Sequence, residues 1–150
     1  MITVMAWQPL AARLVKEFEG CKLKAYLCPA GIATIGWGTT GPDVRLGMVW
    51  TQEQADERLL DDLSDFGDAV AKLVKTAPTT AHQWGALVSF AYNVGSDALR
   101  RSTLLRKHLE GDYAGAQAEF ARWNKAGKRV LAGLTRRRKA EADMYGTPDE

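Results

Sequence analysis

The sequence contains few cysteines and no long apolar run. Its two cysteines, Cys21 and Cys28, form no CxxC pair and have no histidine near them, so no metal-binding framework is indicated. No apolar stretch reaches the roughly 18 residues that a membrane-spanning helix needs. The first ten residues have neither a basic start nor a long apolar core, and we therefore expect neither a secretory signal nor a membrane anchor. The simplest interpretation is synthesis in the cytosol with both thiols reduced.

Composition indicates a packed soluble protein. Of the 150 residues, 46% are hydrophobic and 25% are charged, which is typical of a globular chain. The length suits one domain or two small lobes that share a core. The net charge is +2, and the second half of the chain is more basic than the first. A basic half suits an anionic polymer, either cell wall or nucleic acid, and the charge alone does not choose between them.

Apolar periodicity predicts six helices and one short sheet. Leu14, Val15 and Phe18 fall on one face of the first helix, and Gly20 is suited to end it. Between residues 21 and 47, glycines alternate with strand-forming residues, which predicts an antiparallel sheet of two or three short strands. Internal repeats and low-complexity tracts are absent. The helices are predicted over residues 9–19, 52–74, 80–95, 102–110, 112–123 and 135–145.

Two capping boxes mark the long central helix and the helix after it. In each, a threonine is followed three residues later by a glutamine: Thr51 with Gln54, and Thr80 with Gln83. The pattern predicts an α+β fold. It consists of a single domain, residues 1–150, with a small helix-plus-sheet lobe over about 1–50, a connecting helix over about 51–75 and an all-helical lobe over about 76–150. A cleft between two such lobes is where a polymer would lie.

Glu19 is notable because it lies in the last turn of the first predicted helix. There the negative end of the helix dipole disfavours a carboxylate, and a residue that breaks a local rule is a pointer to function. The same field favours the protonated carboxyl that a general acid needs. The alternative is an ordinary solvated glutamate at a helix tip.

The segment from Glu17 to Thr40 contains the motifs E-G, K-L-K-A-Y, C-x-x-G and T-I-G-x-G-T. With these motifs it resembles the phage-type lysozymes of glycoside hydrolase family 24. The later segments SFAYNVG, STLL and RWNKAGKRVLAGLTRRRKAE extend the similarity, which covers about residues 10–145. The resemblance implies a lysozyme-like fold and cleavage of peptidoglycan, with no metal ion and no cofactor.

The resemblance implies three catalytic residues, Glu19, Cys28 and Thr34. Glu19 would be the general acid that protonates the leaving oxygen. Cys28 stands where the family most often has Asp; its thiol would position water, or act transiently as a base or nucleophile. We expect the nearby carboxylate to raise the pKa of this thiol and keep it neutral. The Thr34 hydroxyl can hold a water by donating and accepting. The alternatives are a buried core role for Cys28, a structural role for Thr34, and a Cys21–Cys28 disulfide that would block the site.

The C-terminal part of the resemblance suggests three substrate-binding residues, Asn93, Ser102 and Arg137. Asn93 and Ser102 would lie near the cleft, or else cap helices and satisfy the main chain. The basic run Arg136–Lys139 is predicted to open the last helix, against the helix dipole. It forms a solvated face, or else Arg137 pairs with the catalytic carboxylate or with a carboxylate of the substrate.

The sequence is compatible with three functions. The first is a phage endolysin that hydrolyses the β-1,4 bond between N-acetylmuramic acid and N-acetylglucosamine with inversion, or forms an anhydro sugar by transglycosylation. The second is a wall-binding or virion structural module that lost efficient chemistry at Cys28; retention of Glu19 and Thr34 argues against it. The third is a nucleic-acid-binding protein, which a net charge of only +2 makes weak.

The first function also predicts the surroundings of the protein. We expect peptidoglycan as the partner, no nucleic acid, no stable membrane association and a monomer. The protein would accumulate in the host cytoplasm until a separate holin releases it to the cell wall or periplasm. An exposed tryptophan, such as Trp37 beside the hairpin, would stack on a sugar ring.

Overall fold

The computed structural model describes residues 6–149, which form seven α-helices, two short β-hairpins and one 3-10 turn. In chain order the elements are α1 (Gln8–Glu19), β1 (Lys22–Leu27), β2 (Ala33–Gly36), α2 (Gln52–Val74), α3 (Ala81–Val94), α4 (Ser96–Arg100), α5 (Thr103–Leu109), α6 (Tyr113–Glu119), the 3-10 turn (Phe120–Arg122), β3 (Lys125–Ala126), β4 (Arg129–Val130) and α7 (Ala132–Tyr145).

The first helix ends where the sequence predicted. Pro9 lies in its first turn, where its missing N–H would have no partner in the helix anyway. Gly20 follows the last helical residue, Glu19, with a φ of +70°. Residues with a Cβ rarely adopt this conformation, so the glycine lets the chain leave α1 and enter β1 directly. The prediction of a helix over 9–19 is confirmed to within one residue.

β1 and β2 form the antiparallel hairpin that the glycine-rich segment predicted. Tyr26 pairs with Thr34 and Leu27 pairs with Ala33. Cys28 directly follows β1, and its N–H donates to the carbonyl of Ile32 at 3.0 Å, which closes the turn. The hairpin therefore brings Cys28 and Thr34 to the same end of this small sheet.

α2 is one continuous helix, as predicted. Its capping box is complete: the Thr51 hydroxyl accepts from the N–H of Gln54 at 3.1 Å, and the Gln54 side chain accepts from the N–H of Thr51 at 2.8 Å. Gly67 lies buried in the middle of the helix, and the indole of Trp7 packs onto it. A Cβ at this glycine would lie 2.3 Å from Cζ2 of Trp7, which explains why a weak helix former occurs there.

The larger hydrophobic core joins the first and last helices to the middle of the chain. α1 and α7 both pack on α3, whose central residues are almost all buried. The fully buried side chains of this core include Val15, Leu59, Leu63, Leu87, Phe90, Leu99, Leu104 and Phe120. A second, smaller core lies under the hairpin and contains Ala25, Ile35 and Val44. Glu19 ends α1 at the point where the chain passes from the larger core to the hairpin.

The C-terminal part of the chain differs from the predictions in four places. The helix predicted over 112–123 ends at Glu119, and a 3-10 turn over Phe120–Arg122 follows it. α7 begins at Ala132 rather than at 135, so the basic run 136–139 lies in its second turn and does not open the helix. The short hairpin of β3 and β4 and the five-residue α4 were not predicted, because such short elements have too few residues to show a period. Among residues 6–149 there is no helix that combines the length and apolar character of a membrane span.

Candidate active site

Glu19 is held between the last helix and the loop after the first hairpin. Its Oε2 accepts from Nη1 of Arg137 at 2.5 Å, and its side chain keeps 22% of its surface exposed. The pair between Arg137 and Glu19 that the sequence suggested is therefore present. A buried guanidinium with a partly exposed carboxylate fixes the orientation of the carboxylate while leaving one side of it open.

Gly38 forms the wall on the other side of Glu19. Its φ is +82°, and a Cβ built on it would lie 2.5 Å from Oε1 of Glu19. Both the backbone conformation and the close approach require glycine at this position. The second glycine of the T-I-G-x-G-T motif thus lets the main chain pack directly against the carboxylate.

Arg137 is itself fixed by a buried network that reaches α3. Its Nε donates to Oε2 of Glu141 at 3.3 Å, and its Nη2 donates to the carbonyl of Ser89 at 3.2 Å. The Ser89 hydroxyl donates to the same oxygen of Glu141 at 2.6 Å. Glu141 is completely buried; burial raises its pKa, and the charges of Arg138 and Arg137 oppose that shift.

Arg138 extends the network on the far side of Glu141. Its Nη1 donates to Oε1 of Glu141 at 2.8 Å, its Nη2 donates to Oδ1 of Asn93, and its guanidinium lies 5.0 Å from the ring centroid of Phe90. Burial lowers the pKa of this guanidinium. Two buried cations and two carboxylates therefore balance one another. The interpretation of the basic run as a solvated face is correct for Arg136 and Lys139 and wrong for the two arginines between them.

Cys28 and Thr34 lie together on the hairpin. The Thr34 side chain is buried, and its hydroxyl donates to the carbonyl of Ile32 at 2.9 Å. Cys28 is half-buried and is a free thiol, as is Cys21, so no disulfide joins them. The main chain at Ile32 lowers the pKa of the Cys28 thiol most and the main chain at Ala30 adds to this, while burial opposes it. The expectation that the pKa of this thiol is raised is wrong, because hydrogen-bond donors around the sulfur outweigh the effect of burial.

Tyr26 on the hairpin is affected by the charges of Glu19 and Cys28. Burial raises the pKa of Tyr26 most, and the charges of Glu19 and Cys28 both contribute. Charges act on a group in this way only over a distance of about 10 Å, so Glu19 and Cys28 both lie within that range of the ring. Cys28 and Thr34 do not line the cavity that adjoins Glu19.

A cavity of about 800 Å³ opens beside Glu19 on the side of α7. Its lining residues are Glu17, Phe18, Glu19, Asn93, Leu131, Gly133, Leu134, Arg136, Arg137, Lys139, Ala140 and Asp143. Two of the three predicted substrate-binding residues, Asn93 and Arg137, belong to this set. No group of three or more His, Cys, Asp or Glu side chains within residues 6–149 is placed to hold a metal ion.

Ser102 is not brought to this cavity. Its hydroxyl accepts from the N–H of Leu105 at 3.0 Å and donates to the carbonyl of Leu99 at 2.7 Å, so it caps α5. It lines a separate depression together with Trp123. The substrate-binding role predicted for Ser102 has no support in this arrangement, because helix capping uses its hydrogen-bonding capacity.

The family model described as phage lysozyme matches residues 16–141. The chain belongs to the phage lysozyme family. Solved structures agree with the fold. The muramidase domain of SpmX from Asticaccaulis excentricus has a TM-score of 0.85 at 39% identity, covering 92% of this chain and 95% of that one. The endolysin of Escherichia coli O157:H7 phage FAHEc1 has a TM-score of 0.81 at 40% identity, covering 91% and 90%. The predicted lysozyme-like α+β fold is confirmed.

Curated relatives in this family include phage endolysins of two lengths. The endolysin of Bacillus phage PZA is 48% identical and matches 90% of this chain, but only 54% of its own length is covered. For the endolysin of Bacillus phage B103, the covered share is 51%. The chain thus spans about half the length of these two relatives. The endolysin of Acyrthosiphon pisum secondary endosymbiont phage 1, 43% identical, is covered over 92% of its length.

Sequence reasoning missed several residues that shape the site in this family member. Glu141 lies four residues after Arg137, and this spacing on a helix was a signal that the two could pair. Gly38 was within a quoted motif, but nothing in the sequence indicated that the absence of a side chain there makes room for the Glu19 carboxylate. Ser89 and Tyr92 lie in the quoted motif SFAYNVG, but their roles could not be assigned, because their contacts join distant parts of the chain.

Proposed function

We propose that this chain is the catalytic unit of a peptidoglycan hydrolase, a phage endolysin that cleaves the β-1,4 bond between N-acetylmuramic acid and N-acetylglucosamine. The observation that carries this proposal is the placement of Glu19. Its carboxylate lies between Gly38 and Arg137, is partly exposed and adjoins a cavity of about 800 Å³. Glycosidic cleavage requires such an oriented carboxyl to protonate the leaving oxygen.

Cys28 and Thr34 supply the second half of the chemistry. The transition state carries positive charge on the sugar, and cleavage requires water to be placed on the opposite face. The lowered pKa of Cys28 makes its thiolate more accessible than that of an ordinary cysteine. In its ionised form Cys28 would take the electrostatic part that the resembled family most often gives to Asp at this position. The Thr34 hydroxyl, adjacent to the sulfur, completes the water site.

Arg137 and Asn93 act in positioning and binding. Arg137 aims the Glu19 carboxylate, and the network through Glu141 and Ser89 fixes Arg137. Asn93 is exposed on the cavity wall, and its amide N–H₂ is left to donate to substrate because its Oδ1 accepts from Arg138. We further propose that the protein acts as a monomer, which size-exclusion chromatography coupled to light scattering tests directly.

Mass analysis of digested peptidoglycan tests the reaction. Purified sacculi are incubated with the chain, and the soluble fragments are analysed by mass spectrometry with and without borohydride reduction. Hydrolysis predicts fragments that end in a reducible N-acetylmuramic acid. Transglycosylation predicts anhydro ends that lack one water and resist reduction. Binding without fragment release would support the wall-binding module instead.

We propose that the protein reaches the wall from the host cytoplasm after a separate protein permeabilises the membrane. Relatives from bacteriophage PS119 and Escherichia phage Mu carry a different name, SAR-endolysin. Expression in Escherichia coli with and without a brief chloroform treatment tests the proposal. Lysis only after chloroform is expected, and lysis without it would contradict the need for a separate membrane-permeabilising protein.

A further inference from the structure

Tyr92 on α3 makes a contact that the catalytic assignment leaves unexplained. Its hydroxyl donates to the carbonyl of Trp37 at 2.6 Å, across 55 residues of sequence. Its half-buried ring packs on Phe66 of α2, with the centroids 5.5 Å apart. The hydrogen bond therefore joins the helical core to the loop that follows the first hairpin.

The peptide that Tyr92 holds is the one that touches Glu19. Gly38 directly follows the Trp37 carbonyl, and the Glu19 carboxylate packs against it at a distance that leaves no room for a Cβ. The side chain of Trp37 makes two further contacts. Its Nε1 donates to Oδ1 of Asp56 on α2 at 2.8 Å, and the ammonium of Lys16 lies 5.4 Å from the centroid of the indole. The indole is thus engaged, which leaves the predicted sugar-stacking role of Trp37 without support.

The hydroxyl of Tyr92 stays protonated in this position. Burial raises its pKa most, and the charges of Asp62 and Glu19 raise it further. A phenol that keeps its proton is a permanent donor to the Trp37 carbonyl. Glu19 is therefore oriented from two sides, by Arg137 through a direct ion pair and by Tyr92 through the main chain of 37–38.

We propose that Tyr92 is a positioning residue for Glu19, acting through the Trp37–Gly38 peptide to hold the carboxylate in its productive orientation. This inference rests on the proposed function, in which Glu19 is the general acid. Tyr92 does not touch the reacting atoms. Displacement of a reacting group by about 1 Å can cost on the order of 10²-fold in rate, so loss of one anchor is expected to slow the chemical step and leave substrate binding intact.

The test compares Tyr92→Phe with Tyr113→Phe. Tyr113 also donates to a main-chain carbonyl, that of Pro78 at 2.8 Å, but it lies on α6 and its acceptor is remote in sequence from the 37–38 peptide that contacts Glu19. Each variant loses one hydroxyl of the same kind and keeps its ring. kcat and KM on solubilised peptidoglycan chains are measured well below the melting temperature of both variants, together with the pH profile of kcat.

For Tyr92→Phe we expect kcat to fall about tenfold, with KM within about twofold of the parent, because a misplaced acid slows the reaction and not the binding. The pH profile of kcat should change as well. Tyr113→Phe should keep both constants within about twofold. In a Glu19→Asp background, where the shorter side chain no longer reaches Gly38, the same Tyr92→Phe change should cost less than about twofold.

Unchanged kcat in Tyr92→Phe would overturn the inference and leave the proposed function standing. Equal losses of kcat in the Tyr92 and Tyr113 variants would also overturn it, because both would then reflect general loosening. A full tenfold loss in the Glu19→Asp background would show that Tyr92 acts elsewhere than on Glu19. Absence of cleavage by the unmodified chain would overturn the proposed function and the role of Tyr92 with it.

Discussion

At the level of single residues, Cys28 has an electrostatic setting that favours its thiolate. The donors that surround the sulfur belong to the hairpin turn itself, chiefly the main chain at Ile32, and the main chain at Ala30 adds to them. The arrangement depends on the tight turn after β1, in which the N–H of Cys28 donates to the Ile32 carbonyl. An Asp side chain is ionised at neutral pH without such donors. A thiol ionises less readily, and the hydrogen bonds of this short turn favour its ionisation.

We predict that Cys28 tolerates Asp better than Ala. Asp places a negative charge beside the developing positive charge, whereas Ala removes both the charge and any part in holding water. Cys28→Asp should keep activity within about tenfold of the parent, and Cys28→Ala should lose about 10²-fold or more. Specific activity on peptidoglycan and the melting temperature are measured side by side. Full activity in the Ala variant would remove Cys28 from the chemistry and leave Glu19 with Thr34.

At the level of secondary-structure elements, Gly67 in α2 is explained by the packing of the Trp7 side chain against it and not by a hinge in the helix. Trp7 stacks on Trp84 with the ring centroids 6.2 Å apart, and the edge of its indole fills the space above Gly67. A glycine in the middle of a helix is about 1 kcal/mol less favourable than alanine. The close packing of a large aromatic ring outweighs this loss.

The variant Gly67→Ala tests this explanation. Alanine gains about 1 kcal/mol of helix propensity, but its methyl group would displace the Trp7 ring, and overpacking costs about 1–3 kcal/mol. Because the built Cβ lies only 2.3 Å from the ring, we expect a net loss of about 1–2 kcal/mol in the free energy of unfolding. Gly133→Ala is the matched control, since its Cβ would meet only Arg136 at 3.8 Å. A Gly67→Ala variant more stable than the parent would contradict the packing explanation.

α7 carries the buried part of the ionic network, and Glu141 is its centre. Removing this carboxylate leaves two buried guanidiniums without their common partner, and breaking a buried ion pair in this way costs about 3–5 kcal/mol. We predict such a loss for Glu141→Ala, measured by urea unfolding, together with reduced activity because Arg137 loses one of its anchors. Asp143→Ala removes the exposed partner of Lys139 and should change stability by less than about 0.5 kcal/mol. Similar losses in the two variants would argue against the network.

Sequence patterns were sufficient for long elements and insufficient for contacts across the fold. The capping box at Thr51 and the apolar spacing after it predicted α2 to its ends, because both signals are local. The last helix was predicted three residues late, since Gly133 is a weak helix former and the N-cap residue, Leu131, offers no side-chain cap. Glu19 and Arg137 were named from the sequence. The physical reason for the contact between Glu19 and Arg137 could not be predicted, because it depends on how α7 packs against α1.

At the level of the whole molecule, a buried histidine ties three distant segments together. His108 is fully buried; its Nε2 lies 2.8 Å from the Thr79 hydroxyl, and its Nδ1 lies 2.6 Å from the Tyr145 hydroxyl. The Thr79 hydroxyl donates to the Ala77 carbonyl, so it accepts from Nε2–H, and Nδ1 accepts from Tyr145. The neutral ring fits this arrangement, and burial lowers the pKa of His108.

This histidine predicts loss of stability in mild acid. With a lowered pKa in the folded state, the unfolded chain binds the proton more readily below about pH 6.5. The contribution of neutral His108 to the free energy of unfolding is therefore complete above that pH. It is lost as the pH falls toward the pKa of the folded state, by up to about 1.4 kcal/mol per pH unit. Urea unfolding of the parent at about pH 7.5 and at about pH 5 should show this slope. His108→Gln should be less stable at neutral pH and should have a flatter pH dependence; equal slopes would contradict the assignment.

The central claim is that Glu19 is the acid of a glycoside hydrolase, and Glu19→Gln tests it most directly. The amide keeps the size of the side chain but has no proton to give to the leaving oxygen. Release of soluble fragments from purified peptidoglycan is measured for the parent and the variant, with melting temperatures as the control for folding. We predict a loss of at least about 10²–10⁴-fold with the fold intact. Fragment release within tenfold of the parent, from a variant that is folded at the assay temperature, would contradict it.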